Sequence, residues 1–212
     1  MAALTSPRPN RQTQRLAAIL AAAEEVFLEK GFEGGSLDDV ARQANASKAT
    51  IYAHFGNKLG LFRALLEHRI GQIRAPLHAG EAKHEPVRDV LTEFGRGFLH
   101  TLLSPVPLKF YRLMVSQGSN FPDLAKLWFA EGPRTNISML AAFLKHRAEL
   151  GEMDIAAPDT VAELFLMSLR GALHLQAAAG LIHPPFDKAI TAKVAAAVDM
   201  MMRAYGPKGA KS

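Results

Sequence analysis

The chain has 212 residues, 49% hydrophobic and 21% charged, which gives room for one or two packed domains and excludes a disordered polymer. It contains no cysteine, so disulfides, thiolate metal sites, iron–sulfur clusters and a cysteine nucleophile are excluded. With 25 Lys+Arg against 20 Asp+Glu the net charge is +5, a mild basic bias that permits nucleic acid as a partner without requiring it.

Residues 1–12 (MAALTSPRPNRQ) carry two prolines and two arginines and no apolar period, and read as a loose arm. Leu16, Ile19, Leu20, Ala23, Val26 and Phe27 then recur at helical spacing until Gly31 stops the run. Arg8, Arg11 and Arg15 ahead of the apolar stretch resemble a signal peptide, but the pattern continues through the would-be cleavage point to Val26 and Phe27. That stretch also meets Glu24 and Glu25 long before the roughly 20 residues a membrane span needs. The expected location is the cytoplasm, with no membrane contact.

Ser36-Leu37-Asp38-Asp39 forms a capping box at the start of a second, short helix that ends near Ala44. Asn45 tolerates the left-handed backbone of a tight turn, and Ser47 caps a third short helix from Lys48 to about His54. Asn57 caps a fourth, expected to run from Lys58 to about Arg74, with Leu61, Phe62, Leu65, Leu66, Ile70 and Ile73 on one stripe. The polar stretch Pro76 to Pro86 separates a first domain, 13–75, from a second, 76–212. Beyond it the period stays helical. One helix carries Leu91, Phe94, Phe98 and Leu102, and another covers Leu108 to Gln117. A third runs from Phe121-Pro122 to Gly151 with a bend at Gly132-Pro133, and the last two span Pro158 to Ala179 and Pro185 to Tyr205. Strand and hairpin signals are missing, and the fold class is all-α.

Two short helices joined by a tight turn need a tight crossing. Val40, Ala41 and Ala44, then Ala46 and Ile51 supply small and β-branched residues at the offsets of a helix-turn-helix over 35–54. Such a motif lays its second helix in the DNA major groove. Ser47 begins that helix, Lys48, Thr50, Tyr52 and His54 then face outward, and Ala49 is small enough for close approach. Lysine can bond guanine or phosphate, and threonine can offer a methyl or a hydroxyl to a base. Lys58 stands at a helix start where a phosphate is favoured, and Ser36 and Arg42 are available for further backbone contact. Residues 1–75 hold ten Lys+Arg against seven Asp+Glu, and Arg8, Arg11 and Arg15 account for the excess. Specificity would therefore rest on base contacts and dimeric geometry more than on bulk charge.

The run GFEGGSLDDVARQANASKATIYAHFGNKLGLFRALL resembles the N-terminal domain of the tetracycline-repressor (TetR/AcrR) family of bacterial transcriptional regulators. Phe27, Gly31, Ser36, Val40-Ala41, Ala44, Ser47-Lys48, Ile51-Tyr52, Phe55, Lys58 and Phe62 carry the match over about 50 residues. Asn45 replaces the usual turn glycine, Ala46 a bulkier residue, and Leu59 a charged one. FYRLMVSQGSNFPDLAKLWFAEGP resembles the C-terminal domain of the AefR-like branch. The resemblance implies an all-helical homodimer of about nine helices per chain, a palindromic double-stranded operator, and a small-molecule effector in the C-terminal domain that weakens DNA binding.

Candidates for lining an effector site are Phe94, Phe98, His100, Phe110, Tyr111, Met114, Gln117, Trp128, Phe143, Phe165, Arg170 and His174. The polar members are the better clues, because a buried Arg170 must be paired, at an interface, or waiting for an anion. The dimer interface is expected on the last two helices, through Leu164, Ser168, Gly171, Ala172 and Leu175 with Val194, Ala195, Val198 and Met201, forming a four-helix bundle. No H-E-x-x-H, P-loop, G-x-G-x-x-G or G-x-S-x-G occurs, so an enzyme, a cofactor and a metal are not expected, His78 and His84 notwithstanding. The competing reading is an all-helical small-molecule carrier without DNA readout, which leaves residues 35–54 unexplained.

Overall fold

The computed structural model describes residues 11–68 and 85–207, and every described element is helical. Arg11 and Gln12 already belong to the first helix, because nothing after Pro9 obstructs helical backbone. The expected arm is shorter by those two residues, and the rest of it, together with His78 and His84, lies outside the described residues.

Contacts divide the chain into two compact units at Glu67 and His68, ahead of the 75/76 boundary read from the sequence. In the first unit, α1 (Arg11–Gly34) is interrupted at Gly31, whose φ of 75° and ψ of 173° leave helical space. The short helices α2 (Leu37–Gln43) and α3 (Lys48–Phe55) follow, then α4 over 58–68. Ile19, Ala23, Val26 and Phe27 from α1 meet Val40, Ile51, Leu61, Phe62 and Leu65, all almost fully buried. Phe27, Phe32 and Phe62 form a triangle with ring centroids 5.6–5.9 Å apart. The two short helices α2 and α3 gain their stability from this shared core, since helices of seven or eight residues are marginal alone.

The second unit contains α5 (Val87–Leu102), α6 (Pro105–Gln117), α7 (Pro122–Phe129), α8 (Thr135–Glu149), α9 (Pro158–Ala178) and α10 (Asp187–Tyr205). Pro105 opens α6 three residues ahead of Leu108, since its missing N–H is not needed in the first turn. A π turn, Ala130–Arg134, contains Pro133 and joins α7 to α8 without a gap, so the bend expected at Gly132-Pro133 is a wide turn in one rod. Counting that rod once gives nine helices among the described residues. The core is one cluster in which α5 packs on α10 and α8 on α9. No described helix is long and apolar enough to cross a membrane.

Candidate functional site

The turn between α2 and α3 fixes the geometry of the first unit. Ser36 accepts a bond from the Asp39 amide at 3.1 Å while the Asp39 carboxylate accepts from the Ser36 amide at 3.2 Å, a reciprocal capping box. The Ser36 hydroxyl also donates to Asp39 Oδ2 at 2.8 Å, so its proton is committed inside the cap. At the other end of α2 the Ala46 amide bonds the Ala41 carbonyl at 2.9 Å and the Asn45 amide bonds that of Arg42 at 3.3 Å, with Asn45 at φ 48°. That pairing is a Schellman motif with asparagine in the left-handed position, where glycine is the commoner choice. Ser47 then caps α3 through the Thr50 amide at 3.1 Å.

The result is a helix held on the core by the fully buried Ile51, with Lys48, Ala49, Tyr52 and His54 exposed and Thr50 half-buried. Lys48 Nζ lies 2.8 Å from the Asp38 carboxylate, which raises the lysine pKa and keeps it protonated. Thr50 Oγ1 accepts from Arg15 at 3.0 Å and stands 2.8 Å from Ser47 Oγ. Asp39 gathers Lys30 at 2.9 Å and, in an exposed contact, Arg42; bonds from Lys30 and Ser36 hold its carboxyl well below the usual range. Lys58 donates to the Glu33 carbonyl at 3.0 Å and its ammonium sits 4.7 Å above the Phe32 ring. Partial burial lowers the Lys58 pKa, with Glu33 acting in the other direction. A single groove brings together Ser36, Lys48, Tyr52, Asn57 and Lys58, residues far apart in the chain. Sequence reasoning missed the contacts of Arg15 and Asp38 with α3, because they depend on how the helices cross.

In the second unit the effector candidates separate. Phe94, Phe98, Phe143 and Phe165 belong to the central core cluster. His100 is exposed, with Nε2 3.8 Å from the Asp187 carboxylate. Phe110 and Met114 are buried on α6. Tyr111, Trp128, Arg170 and His174 do come together. The Tyr111 ring stands edge-on to His174 at 4.5 Å and 6.5 Å from Trp128, and the Arg170 guanidinium lies over it at 5.4 Å. His174 is 1% exposed and its Nε2 has no hydrogen-bond partner, as is true of Gln117 Oε1. Burial, reinforced by the charge of Arg170, lowers the His174 pKa to about 4, and burial also lowers that of Arg170.

The dimer candidates divide as well. Leu164 and Leu175 are 57% and 58% exposed, and Ala172 and Ala195 are open, with Ser168 and Gly171 half-buried between them. Val194, Val198 and Met201 are nearly inaccessible and pack within the core of their own chain. The apolar stripe of α10 faces inward onto α5, where Val194 lies against Gly95. Met167 and Met200, 43% and 50% exposed, are apolar residues at the surface.

Two family profiles match these units: "Bacterial regulatory proteins, tetR family" over residues 19–65, and "AefR-like transcriptional repressor, C-terminal domain" over 89–207. The chain belongs to the TetR family. Among TetR-family relatives, HTH-type transcriptional repressor Rv3405c of Mycobacterium tuberculosis is 30% identical over 126 residues, covering 59% of this chain and 63% of that protein. The match thus spans less than two thirds of that relative's length. The solved structure of the Flavonoid-responsive Regulator FrrA is 30% identical with a TM-score of 0.73, covering 92% of this chain and 99% of the other. A TetR-family regulator from Mesorhizobium loti, 21% identical, shares the fold with a TM-score of 0.78 over 93% of this chain and all of its own.

Proposed function

We propose that this TetR-family protein is a homodimeric transcriptional repressor that reads a palindromic operator through α3 and leaves it when a small molecule occupies its C-terminal unit. The observation that carries the reading is α3 itself. It is capped by Ser47, anchored through Ile51, and presents Lys48, Ala49, Tyr52 and His54 to solvent with Thr50 at their side. In this reading Lys48 and Thr50 meet base edges, Ser47, Tyr52 and His54 border them, and Lys58 and Arg42 serve the phosphate backbone. A twofold operator asks for a twofold protein with heads about 34–36 Å apart. The exposed Leu164, Ala172 and Leu175 of α9, with Ala195 of α10, supply the face for that pairing.

Repressor names among the relatives support the sign of regulation, and the flavonoid responsiveness of FrrA supports a small aromatic effector. An effector that binds better to a conformation unsuited to DNA lowers operator occupancy by that difference in affinity. The protein then acts in the cytoplasm, at the nucleoid when bound, and catalyses nothing. A helical carrier without DNA readout leaves the exposed face of α3 without a task.

Fluorescence anisotropy on operator and scrambled duplexes tests the assignment of residues. Lys48→Ala and Thr50→Ala should each cost about 1–3 kcal/mol on the operator and much less on scrambled DNA. Lys58→Ala should weaken both alike and flatten the salt slope by about one. Equal losses on both duplexes for Lys48 and Thr50 would refute their role in reading bases.

A further inference from the structure

The cluster around Tyr111 has the chemistry of a receptor for one kind of molecule. Arg170 is half-buried and desolvated, and among the described residues no carboxylate forms a salt bridge with it. Its guanidinium instead covers the face of Tyr111 at 5.4 Å. One turn further along α9, His174 is almost completely enclosed, with Nε2 unpaired, and its ring meets the Tyr111 edge at 4.5 Å. Gly171 stands between the two with φ 40° and ψ −148°, so the backbone leaves helical geometry between the side chains that share Tyr111. Trp128 adds a second ring 6.5 Å from Tyr111, and the π turn of 130–134 begins two residues later. Buried polar atoms are rarely left unpaired, and π turns and left-handed breaks gather at functional sites.

We propose that Arg170, His174, Tyr111 and Trp128 form a binding site for an aromatic carboxylic acid, the chemical class of the effector. This rests on the reading of the C-terminal unit as an effector domain and goes beyond it in naming the acid. The guanidinium fork matches a carboxylate in two parallel bonds, and an anion restores the charge balance that burial disturbs. The neutral imidazole supplies one further polar contact through Nε2. The Trp128 ring, beside Tyr111, takes the ring of the ligand. A neutral aromatic of the same shape leaves Arg170 without a counter-charge in a desolvated place, which is how the site tells the two apart.

Trp128 is the only tryptophan in the chain and serves as the reporter. The full-length protein, free of DNA, is titrated with trans-cinnamate and with trans-cinnamamide, followed by Trp128 fluorescence and by calorimetry on the same solutions. Cinnamate should bind saturably and at least about tenfold more tightly than the amide, a preference carried by one charge-assisted pair. Arg170→Gln should abolish that preference by weakening cinnamate alone, while Arg170→Lys, which keeps the charge without the fork, retains part of it. Thermal melts of both variants confirm that they are folded. Equal binding of acid and amide, a preference that survives Arg170→Gln, or no saturable binding of cinnamate by either method would overturn the proposal. No DNA enters this titration, so its failure leaves the reading of DNA intact, and failure to find an operator leaves the acid site intact.

Discussion

At the level of single residues, the reading helix is restrained by charges from its own unit. Asp38 holds Lys48 at 2.8 Å and Arg15 donates to Thr50, so two side chains assigned to base contact are pre-positioned before any DNA arrives. Asp38 also cancels the local charge. Asp38→Asn should therefore tighten binding to scrambled duplex and steepen its salt slope by about one, while gaining less on the operator. Unchanged salt slopes on both duplexes would show that Asp38 does not tune this face. A second residue-scale consequence concerns His174. Below its ordinary pKa of 6.5 the unfolded chain takes up a proton that the folded chain refuses until about pH 4. Stability from the neutral imidazole is thus complete above pH 6.5 and falls as pH drops toward 4, by up to about 3 kcal/mol. Urea melts should show the wild type losing stability relative to His174→Phe across that window; parallel pH profiles would contradict the burial of this imidazole as the cause.

The elements were legible in the sequence wherever a local signal marks them. The capping box at Ser36, the left-handed Asn45, the cap at Ser47 and the Asn57 side chain, which accepts from the Gly60 amide at 2.8 Å, are all short-range chemistry. Inside faces were harder to assign, because α10 has apolar residues on one side and alanines on another. Periodicity does not say which side meets α5. Val194, Val198 and Met201 turned inward, and the exposed face of α9 keeps Leu164, Ala172 and Leu175. The four phenylalanines Phe94, Phe98, Phe143 and Phe165 went to the core for the same reason: an aromatic side chain looks alike in sequence whether it lines a core or a pocket. The polar members Tyr111, Arg170 and His174 could be picked out because burial of a polar group asks for a partner. The α9 face gives a test at this scale. In the proposed twofold contact, Leu175→Glu places two like charges face to face and should convert the dimer to monomers in sedimentation at micromolar concentration. Persistence of the dimer would move the interface elsewhere.

For the whole molecule, both units carry family matches, 19–65 and 89–207, and the described helices align with solved TetR-family structures along nearly all of the chain. The net charge of +5 is too small for bulk attraction to select a site, so selectivity in the proposed function lies in a repeated, twofold reading of bases. The measurement that tests this most directly is selection from random duplex DNA with the purified protein at about 0.15 M salt, near physiological ionic strength. The expected outcome is an enriched palindrome whose half-sites lie about 10–10.5 bp apart or at an offset multiple of that spacing. A recovered pool without symmetry, or no enrichment with or without trans-cinnamate, would contradict it.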